Sequence, residues 1–520
     1  MENYTAPARE SQPQTSTTCP PPPAVRPPFD CDRADFLLIL SALLVGFFFI
    51  RLIWTRGYGA AVPTFIALVY AVTCLYTKLS GIDSHTREAF PWHALTAALT
   101  LPFLLFDGRD GRLLLTLGML FVSTAFAIYT QLGCRRFHLH DNRFAADLWN
   151  ASVCAPLGNL GSIWYSTGEL ARRGRSRNVL LVLAGLLLGL PMLLVLTVLL
   201  ASADAAFEGL LDMVELRLFE ALPEYFWSFV LGIPFAMVAF GILYGCRYKR
   251  RVQAVTTLPL EKTRRVPAAL ALGMLVPTTL LCLIYLGSQL AYFFSAFSGL
   301  LPANFTYAEY ARRGFFELCA ISVLLLTLVA AINLFMQAQS PALQRTRQLI
   351  SAFFCLFALI LTATSLSKMV LYIRVYGVTP LRMTTSLFMI ALGLCLIWIV
   401  LRLFLSKFRL VRALTVTVLC ALLALSYIDM DVLSLRVNCA LSQADLLQDN
   451  PEAETIGGFS FRTLVTMSDG IVPFLEEQAV SGDPEAAKLA KRVLTARPDY
   501  RPSHADPWTW NLARARADRE

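Results

Sequence analysis

Two stretches of the sequence carry charged and aromatic side chains at a density that the rest of the chain lacks. The first, FTYAEYARRGFFEL, runs from Phe305 to Leu318, and the second, SLSKMVLYIRVYGVTPLR, runs from Ser365 to Arg382. Arginine offers paired N–H donors to a phosphate or carboxylate group, and tyrosine hydroxyls can line such a site. The residues that could do this chemistry form one candidate cluster: Tyr307, Glu309, Tyr310, Arg312, Arg313, Glu317, Lys368, Tyr372, Arg374, Tyr376 and Arg382.

This candidate cluster has two interpretations. In the structural one, its cations pair with Glu309, Glu317 and other nearby acidic residues, because a charge at the membrane edge is costly without a partner. In the functional one, the arginines and tyrosines bind an anionic group of a ligand or of a partner protein. Structural ion-pair networks are commoner than binding sites, so the sequence favours the structural interpretation, and both can hold at once.

Motifs of catalysis or of cofactor binding are not found elsewhere in the sequence. It contains no Walker A loop, no Rossmann glycine pattern, no HExxH motif and no supported Ser-His-Asp arrangement. The 12 cysteines include no CxxC pair and lie mostly in apolar runs, which is typical of small core residues. We therefore expect no catalytic residue, no cofactor and no bound metal, and the sequence favours a non-catalytic protein.

The elements that must position the cluster are transmembrane helices. Hydrophobic residues make up 56% of the chain and charged residues only 16%, whereas soluble proteins carry about 25% charged residues. Long apolar runs separated by short polar loops predict an all-α polytopic transmembrane bundle. About eleven stretches are long enough to cross the hydrocarbon core: 36–54, 60–78, 91–106, 113–132, 179–200, 225–246, 268–295, 314–335, 349–372, 381–404 and 410–428.

The predicted spans divide the chain into five regions. The loop 133–178 is rich in basic residues and carries Trp149, Trp164 and Tyr165, so we expect part of it to lie on the membrane surface. Acidic and apolar residues alternate at helical spacing in 204–222, which predicts an amphipathic helix at the outer surface. The regions are a disordered, Pro-rich cytoplasmic tail at 1–35, the first transmembrane helices at 36–132, the amphipathic and basic cytoplasmic loop at 133–178, the main transmembrane region at 179–428 and a short helical, polar segment at 429–520.

The distribution of Lys and Arg predicts the orientation. Basic residues concentrate in alternate loops, for example ARRGRSR and CRYKRR, and such loops stay in the cytoplasm. The N-terminus is therefore expected in the cytoplasm, and the candidate cluster and the C-terminal segment on the extracytoplasmic side of the cytoplasmic membrane. The same loops account for the net charge of +9, so no nucleic-acid partner is expected.

The segments YAEYARRGFFEL, KMVLYIRVYGVTPLR, MSDGIVPFL and WNLARARA together resemble a bacterial membrane family catalogued as domain of unknown function 4173, which is related to family 4153. The resemblance covers the chain from about the fifth predicted span to the C-terminus. At Lys368 the family pattern more often has Arg, which keeps the charge. The resemblance implies a multipass bacterial membrane protein and supplies no activity, cofactor or catalytic residue.

The sequence leaves three functions open. First is a non-catalytic envelope sensor or scaffold whose outer-face cluster recognises an anionic ligand or a partner protein. Second is a carrier or flippase for a small or lipid-linked molecule, and third is a membrane-embedded transferase that acts on lipid-linked substrates. In each case the lipid bilayer is the expected surroundings of the protein.

Overall fold

The structure is a computed structural model of the chain. It describes residues 32–54, 58–107, 112–138, 141, 143–172, 217–252, 265–298, 315–337, 340–405, 407–443, 455–481, 483–497 and 507–517. These residues are almost entirely helical, and their strands are limited to one two-stranded hairpin. The predicted all-α class is therefore confirmed for the transmembrane part.

Long helices form the main body of the molecule. The helices of the bundle are α1 Arg33–Trp54, α2 Ala61–Leu79, α3 Thr86–Leu105, α4 Arg112–Gln131, α5 Phe144–Trp149, α6 Ala155–Gly158, α7 Ser162–Arg172, α8 Arg217–Arg247, α9 Ala268–Ser298, α10 Phe315–Phe335, α11 Pro341–Tyr376, α12 Pro380–Phe404 and α13 Leu410–Tyr427. The last turns of α1, Phe49–Trp54, are π-helical, and the two short helices α5 and α6 are joined by a π-helical turn at Asn150–Cys154.

Eight of the described helices are long and apolar enough to cross a membrane, namely α1, α2, α4, α8, α9, α11, α12 and α13. This result confirms a membrane-embedded helical protein. The predicted spans 91–106 and 314–335 correspond to α3 and α10, which are helical but fall below the length or hydropathy of the other eight over their described residues. The predicted span 179–200 lies outside the described residues, so the total of about eleven stays a prediction.

Contacts between α1 and α8 define the two faces of the bundle. These helices run antiparallel, because Arg247 at the end of α8 pairs with Asp35 at the start of α1, and Arg51 near the end of α1 pairs with Glu224. We call the face where α1 begins the N-terminal face and the face where it ends the C-terminal face. Contacts with these two ends of α1 then assign the ends of the other helices to one face or the other.

The second half of the bundle is built around α11. The side chain of Asn333 on α10 donates to Ser351 on α11 at 3.0 Å, and Ser322 and Thr362 contact each other further along the same two helices. The 36 residues of α11 give a length of about 54 Å, well beyond the roughly 30 Å of the hydrocarbon core. The predicted span 349–372 is therefore the central part of a helix that extends past the membrane.

The polar C-terminal segment folds into a small unit with its own core. Its buried residues include Leu435, Leu464, Leu475 and Leu489. We call the described residues from Met430 onward the C-terminal unit. Its elements are α14 Met430–Gln443, β1 Thr455–Ile456, β2 Phe459–Ser460, α15 Phe461–Thr466, α16 Val472–Ser481, α17 Pro484–Ala496 and α18 Leu512–Ala517.

The hairpin in this unit was not predicted from the sequence. Two residues, Gly457 and Gly458, connect β1 to β2, with φ of 56° and 71°. Consecutive left-handed residues are what a tight two-residue hairpin needs, and glycine adopts them without steric cost. The Gly-Gly step between Ile456 and Phe459 was the local signal for this turn.

Other predicted boundaries differ in detail. The first helix begins at Arg33, whereas the tail was predicted to extend to residue 35; residues 1–31 lie outside the described part of the chain. The loop 133–178 contains the short helices α5 to α7. Most of the predicted amphipathic helix 204–222 lies outside the described residues, and positions 217–222 form the first turns of α8 rather than a separate helix.

Candidate functional site

The turn between α11 and α12 lies on the C-terminal face and is held by the C-terminal unit. The side-chain oxygen of Asn438, on α14, accepts the N–H of Val378 at 2.6 Å, and its amide nitrogen donates to the Val378 carbonyl at 2.9 Å. Gly377 has a φ of 74°, and a Cβ there would lie 2.8–2.9 Å from the Asn438 amide. Asn438 therefore satisfies both backbone polar groups of Val378. The preceding residue must be glycine, because its φ is positive and a Cβ would overlap the Asn438 amide.

Arg382, one of the predicted cluster residues, binds the end of α11. Its Nη1 donates to the carbonyl oxygens of Tyr376 at 2.9 Å and of Gly377 at 2.5 Å. Its guanidinium carbon lies 4.0 Å from the centre of the Tyr372 ring. Carbonyl groups at a helix C-terminus lack partners within the helix and attract cations, so this arginine caps the helix.

The other described members of the cluster lie on the last three turns of α11. The rings of Tyr372 and Tyr376 meet edge to face with centroids 5.2 Å apart. Lys368 is half-buried, whereas Arg374 is exposed. The side chain of Glu317 lies outside the described part of the chain. Five further predicted members lie entirely outside it: Tyr307, Glu309, Tyr310, Arg312 and Arg313.

The register of α10 against α11 indicates where the first motif leads. The pairs Asn333–Ser351 and Ser322–Thr362 keep one antiparallel register along the two helices. Continued to the start of α10, the same register brings position 317 level with positions 367 and 368. The two motifs therefore lead toward the same face, although contact between them stays a prediction.

A network of buried charges joins the C-terminal unit to the end of α3. Asp107 follows α3 and accepts from Arg514 Nη2 at 2.9 Å, while Arg514 Nε donates to Asp469 at 3.4 Å. Arg497 also pairs with Asp469 at 3.5 Å. The side chains of Asp107, Asp469 and Arg497 are less than a tenth exposed, and that of Arg514 is 36% exposed. Charges this deep are stable only when paired, so the network fixes the unit on the bundle.

Further contacts hold the same unit. Asp429, between α13 and α14, accepts the N–H groups of Asp431 and Val432 at 3.2 Å, and Asp431 accepts the N–H of Ser468 at 2.8 Å. The carbonyl of Trp510 accepts the N–H of Ala60 at 3.0 Å. These carboxylates are occupied by backbone donors, and within the described part of the chain no group of three or more His, Cys, Asp or Glu side chains could hold a metal ion.

This network was not predicted, although its parts were visible in the sequence. Asp107 opens the FDGRDGR turn, Asp469 lies in MSDGIVPFL and Arg514 in WNLARARA. The signal in the sequence is the presence of charged residues in these short segments next to the predicted membrane helices, since such charges need partners. What the sequence lacks is the pairing, because Asp107 and Arg514 are separated by 407 positions.

A second buried network lies on the N-terminal face. The fully buried carboxylate of Asp35 accepts from Arg247 at 2.9 Å and from the hydroxyls of Tyr76 and Tyr248 at 2.7 Å each. Hydrogen bonds from Arg247 hold the pKa of Asp32 at about 2, and burial together with the bond to Asp35 raises the pKa of Tyr248. Asp35, Tyr76, Arg247 and Tyr248 each have a partner within this network, which is typical of a structural network that ties α1, α2 and α8 together.

The comparisons with known proteins identify a family. A profile of the family described as Domain of unknown function (DUF4153) matches residues 64–461. The chain belongs to this family. The match begins in α2 and ends in the C-terminal unit, before MSDGIVPFL and WNLARARA. The relation to family 4153 is thus confirmed and the naming of family 4173 is not. Comparisons with curated proteins and with solved structures found no match.

Proposed function

We propose that this family 4153 protein is a non-catalytic sensor or scaffold of the cell envelope, with the C-terminal unit as the part that meets its partner. The observation that carries the proposal is the pairing of the buried Asp107 with Arg514, which also donates to Asp469. A unit bound rigidly to several helix ends can pass a change in helix position on to a partner, as a sensor does, or hold a partner in place, as a scaffold does. Neither a carrier nor a transferase requires such a rigid attachment.

The proposed orientation places the C-terminal unit outside the cytoplasmic membrane. Support comes from the described basic side chains, which are more numerous at the N-terminal face and so favour a cytoplasmic location for it. Those at the C-terminal ends of the bundle are fewer and include Arg51, Arg374 and Arg382. The exposed ones at the N-terminal face are Arg33, Lys78, Arg87, Arg136, Arg143, Lys249, Arg251, Arg265, Arg345, Lys407, Arg409 and Arg412.

The candidate cluster has a double role in this proposal. Arg382 and Tyr372 shape the α11–α12 turn, as their contacts with the end of α11 support. Arg374 and Tyr376 are exposed on the same face and are proposed to contact an anionic group of the partner. FTYAEYARRGFFEL is proposed to complete this surface.

The test separates attachment of the C-terminal unit from the integrity of the bundle. Arg514→Gln removes the cation that neutralises Asp107, and the matched control Arg516→Gln changes an exposed arginine on the same short helix. Removing one partner of a buried ion pair costs about 3–5 kcal/mol, so the unit should detach and become sensitive to protease. Both variants are expressed in a strain that lacks the chromosomal gene.

We expect Arg514→Gln to reach the membrane in normal amount and to lose the protection of its C-terminal unit from protease. It should also fail to restore the wild-type phenotype to the deletion strain. Arg516→Gln should behave like the wild type. If Arg514→Gln detaches the unit and still restores the phenotype, the function resides in the helices alone, and the proposal is wrong.

A further inference from the structure

A compact platform on the N-terminal face combines exposed aromatic and basic side chains. It consists of α5 to α7 and the turn 248–251 that follows α8. Phe144 anchors it, with its ring stacked on Trp92 at 5.6 Å and edge-on to Phe126 at 5.3 Å. Asp147 accepts the N–H groups of Arg136 and Phe137 at 2.8 Å each, which fixes the chain where it enters the platform.

The two parts of the platform are bound to each other. The side-chain amide of Asn159 donates to the Arg250 carbonyl at 2.9 Å, and Arg251 Nη1 donates to the Gly158 carbonyl at 2.9 Å. Lys249 and Arg251 have φ values of 48° and 51°, the left-handed region that residues other than glycine adopt only uncommonly. Both residues are exposed.

Large apolar side chains point away from the core on this platform. Trp149, Leu157, Trp164 and Tyr165 are 56–64% exposed, while the neighbouring small residues Ala151 and Ala155 are fully buried. Exposed aromatic rings at the level where helices end are typical of the membrane–water interface. Basic residues placed beside them attract anionic lipid headgroups.

We propose that this platform lies in the headgroup layer and binds anionic glycerophospholipids. Trp149, Leu157 and Trp164 enter the interface, and Lys249 and Arg251 contact the lipid phosphate. The turn 248–251 directly follows α8, and α5 is the next helix after α4. Both α4 and α8 are apolar enough to cross the membrane, so the platform lies where two candidate spans end. A soluble acidic protein would not reach side chains at that depth. This inference depends on the membrane environment and not on the proposed sensor or scaffold function.

The test measures which lipid lies next to the platform. The full-length protein is reconstituted in vesicles of equal parts phosphatidylglycerol and phosphatidylcholine, with either lipid brominated, since bromine quenches nearby tryptophan fluorescence. Trp149→Phe/Trp164→Phe supplies the background from the other tryptophans. The test variant is Lys249→Gln/Arg251→Gln, and the control is Lys488→Gln/Lys491→Gln, which changes two exposed lysines of the C-terminal unit.

We expect brominated phosphatidylglycerol to quench Trp149 and Trp164 more than brominated phosphatidylcholine does. Two basic groups near the surface correspond to a preference of roughly thirtyfold, which Lys249→Gln/Arg251→Gln should remove and the control should keep. If the double variant elutes as aggregate, Lys249→Gln alone should lose about half of the preference on a logarithmic scale.

Three results would overturn the inference. Equal quenching by the two lipids in the wild type would exclude a preference for anionic headgroups. A preference that survives Lys249→Gln/Arg251→Gln would place the anion site elsewhere. Quenching of Trp149 and Trp164 by neither lipid would show that the platform lies outside the bilayer and is open to a soluble partner.

Discussion

Single residues in the candidate cluster differ in what they contact. The sequence groups Arg382 with Arg374 because both are arginines eight positions apart at one helix junction. In the structure, Arg382 donates to two carbonyls and lies over the Tyr372 ring, while Arg374 is exposed. A charged residue type indicates that a partner is needed, but it does not indicate whether that partner is a carbonyl of the same hairpin or an external anion.

We predict that Arg382→Gln destabilises the protein and that Arg374→Gln does not. The first change removes the cap of α11 and the contact with Tyr372, at a cost of about 1–3 kcal/mol. The second alters an exposed side chain and should stay within about 0.5 kcal/mol of the wild type. Thermal unfolding of the detergent-solubilised protein measures both. Equal stability of the two variants would contradict a structural role for Arg382 and favour an anion site that includes it.

The buried networks illustrate the same limit at longer range. Asp35 is preceded by Asp32 and starts an apolar run, so the sequence contains the signal of a helix N-cap, and the two side chains do form a reciprocal capping pair. The partners Tyr76 and Arg247 lie 41 and 212 positions away from Asp35. Local spacing cannot specify such pairs, because they arise only when whole helices pack.

At the level of elements, the spans were predictable and their packing was not. The predicted stretches 225–246 and 381–404 agree with α8 and α12 to within a few residues at most of their ends. Lipid and neighbouring helices are equally apolar, so a transmembrane helix shows little difference between the side that faces lipid and the side that faces protein. The sequence therefore predicts how many helices to expect without predicting which of them touch.

The contact of α1 with α8 depends on small residues. Gly46 lies against Gly232 and Ala236, and a Cβ on Gly46 would overlap the Gly232 carbonyl oxygen and lie 2.9 Å from the Ala236 nitrogen. Close approach of two backbones in a membrane gains van der Waals contact that larger side chains would prevent. Residues of both helices belong to the largest apolar cluster of the described residues. Because Asp35 is on α1 and Arg247 is on α8, this crossing also positions the Asp35 network.

We predict that Gly46→Ala destabilises the bundle by about 1–3 kcal/mol, since the added methyl group meets backbone atoms that cannot move independently. Gly118→Ala is the matched control, because nothing lies within 4 Å of a Cβ at this exposed helical position. The control should be neutral or stabilising by about 0.5–1 kcal/mol, as expected for glycine to alanine in a helix. Thermal unfolding of both variants in detergent is the measurement, and equal effects would show that the helices do not cross at Gly46.

For the whole molecule, the arrangement of the faces gives the orientation a direct test. The C-terminal unit contacts the ends of α3 and α11, and α2 and α4 end on the opposite face, where the N–H of His85 binds the carbonyl of Gln131. Cys439, a native cysteine of the C-terminal unit, is half-buried, with its sulfur 3.0 Å from where a Cβ on Gly457 would lie. An exposed engineered cysteine on each face is therefore a better reporter.

We predict that Val480→Cys reacts with a membrane-impermeant maleimide in intact cells, and that Arg87→Cys reacts only after the membrane is permeabilised. Val480 is 91% exposed on the C-terminal unit, and Arg87 is exposed in the first turn of α3 on the N-terminal face, so both thiols are accessible to any reagent that reaches their side. The wild-type protein, whose native cysteines remain, measures the background. The expectation follows from the concentration of basic side chains at the N-terminal face, which resist transfer across the membrane.

Labelling of Arg87→Cys alone in intact cells would reverse the orientation and place the C-terminal unit in the cytoplasm. Labelling of both would mean that the two faces do not lie on opposite sides of the membrane, and the antiparallel arrangement of α1 and α8 as spans would then be wrong.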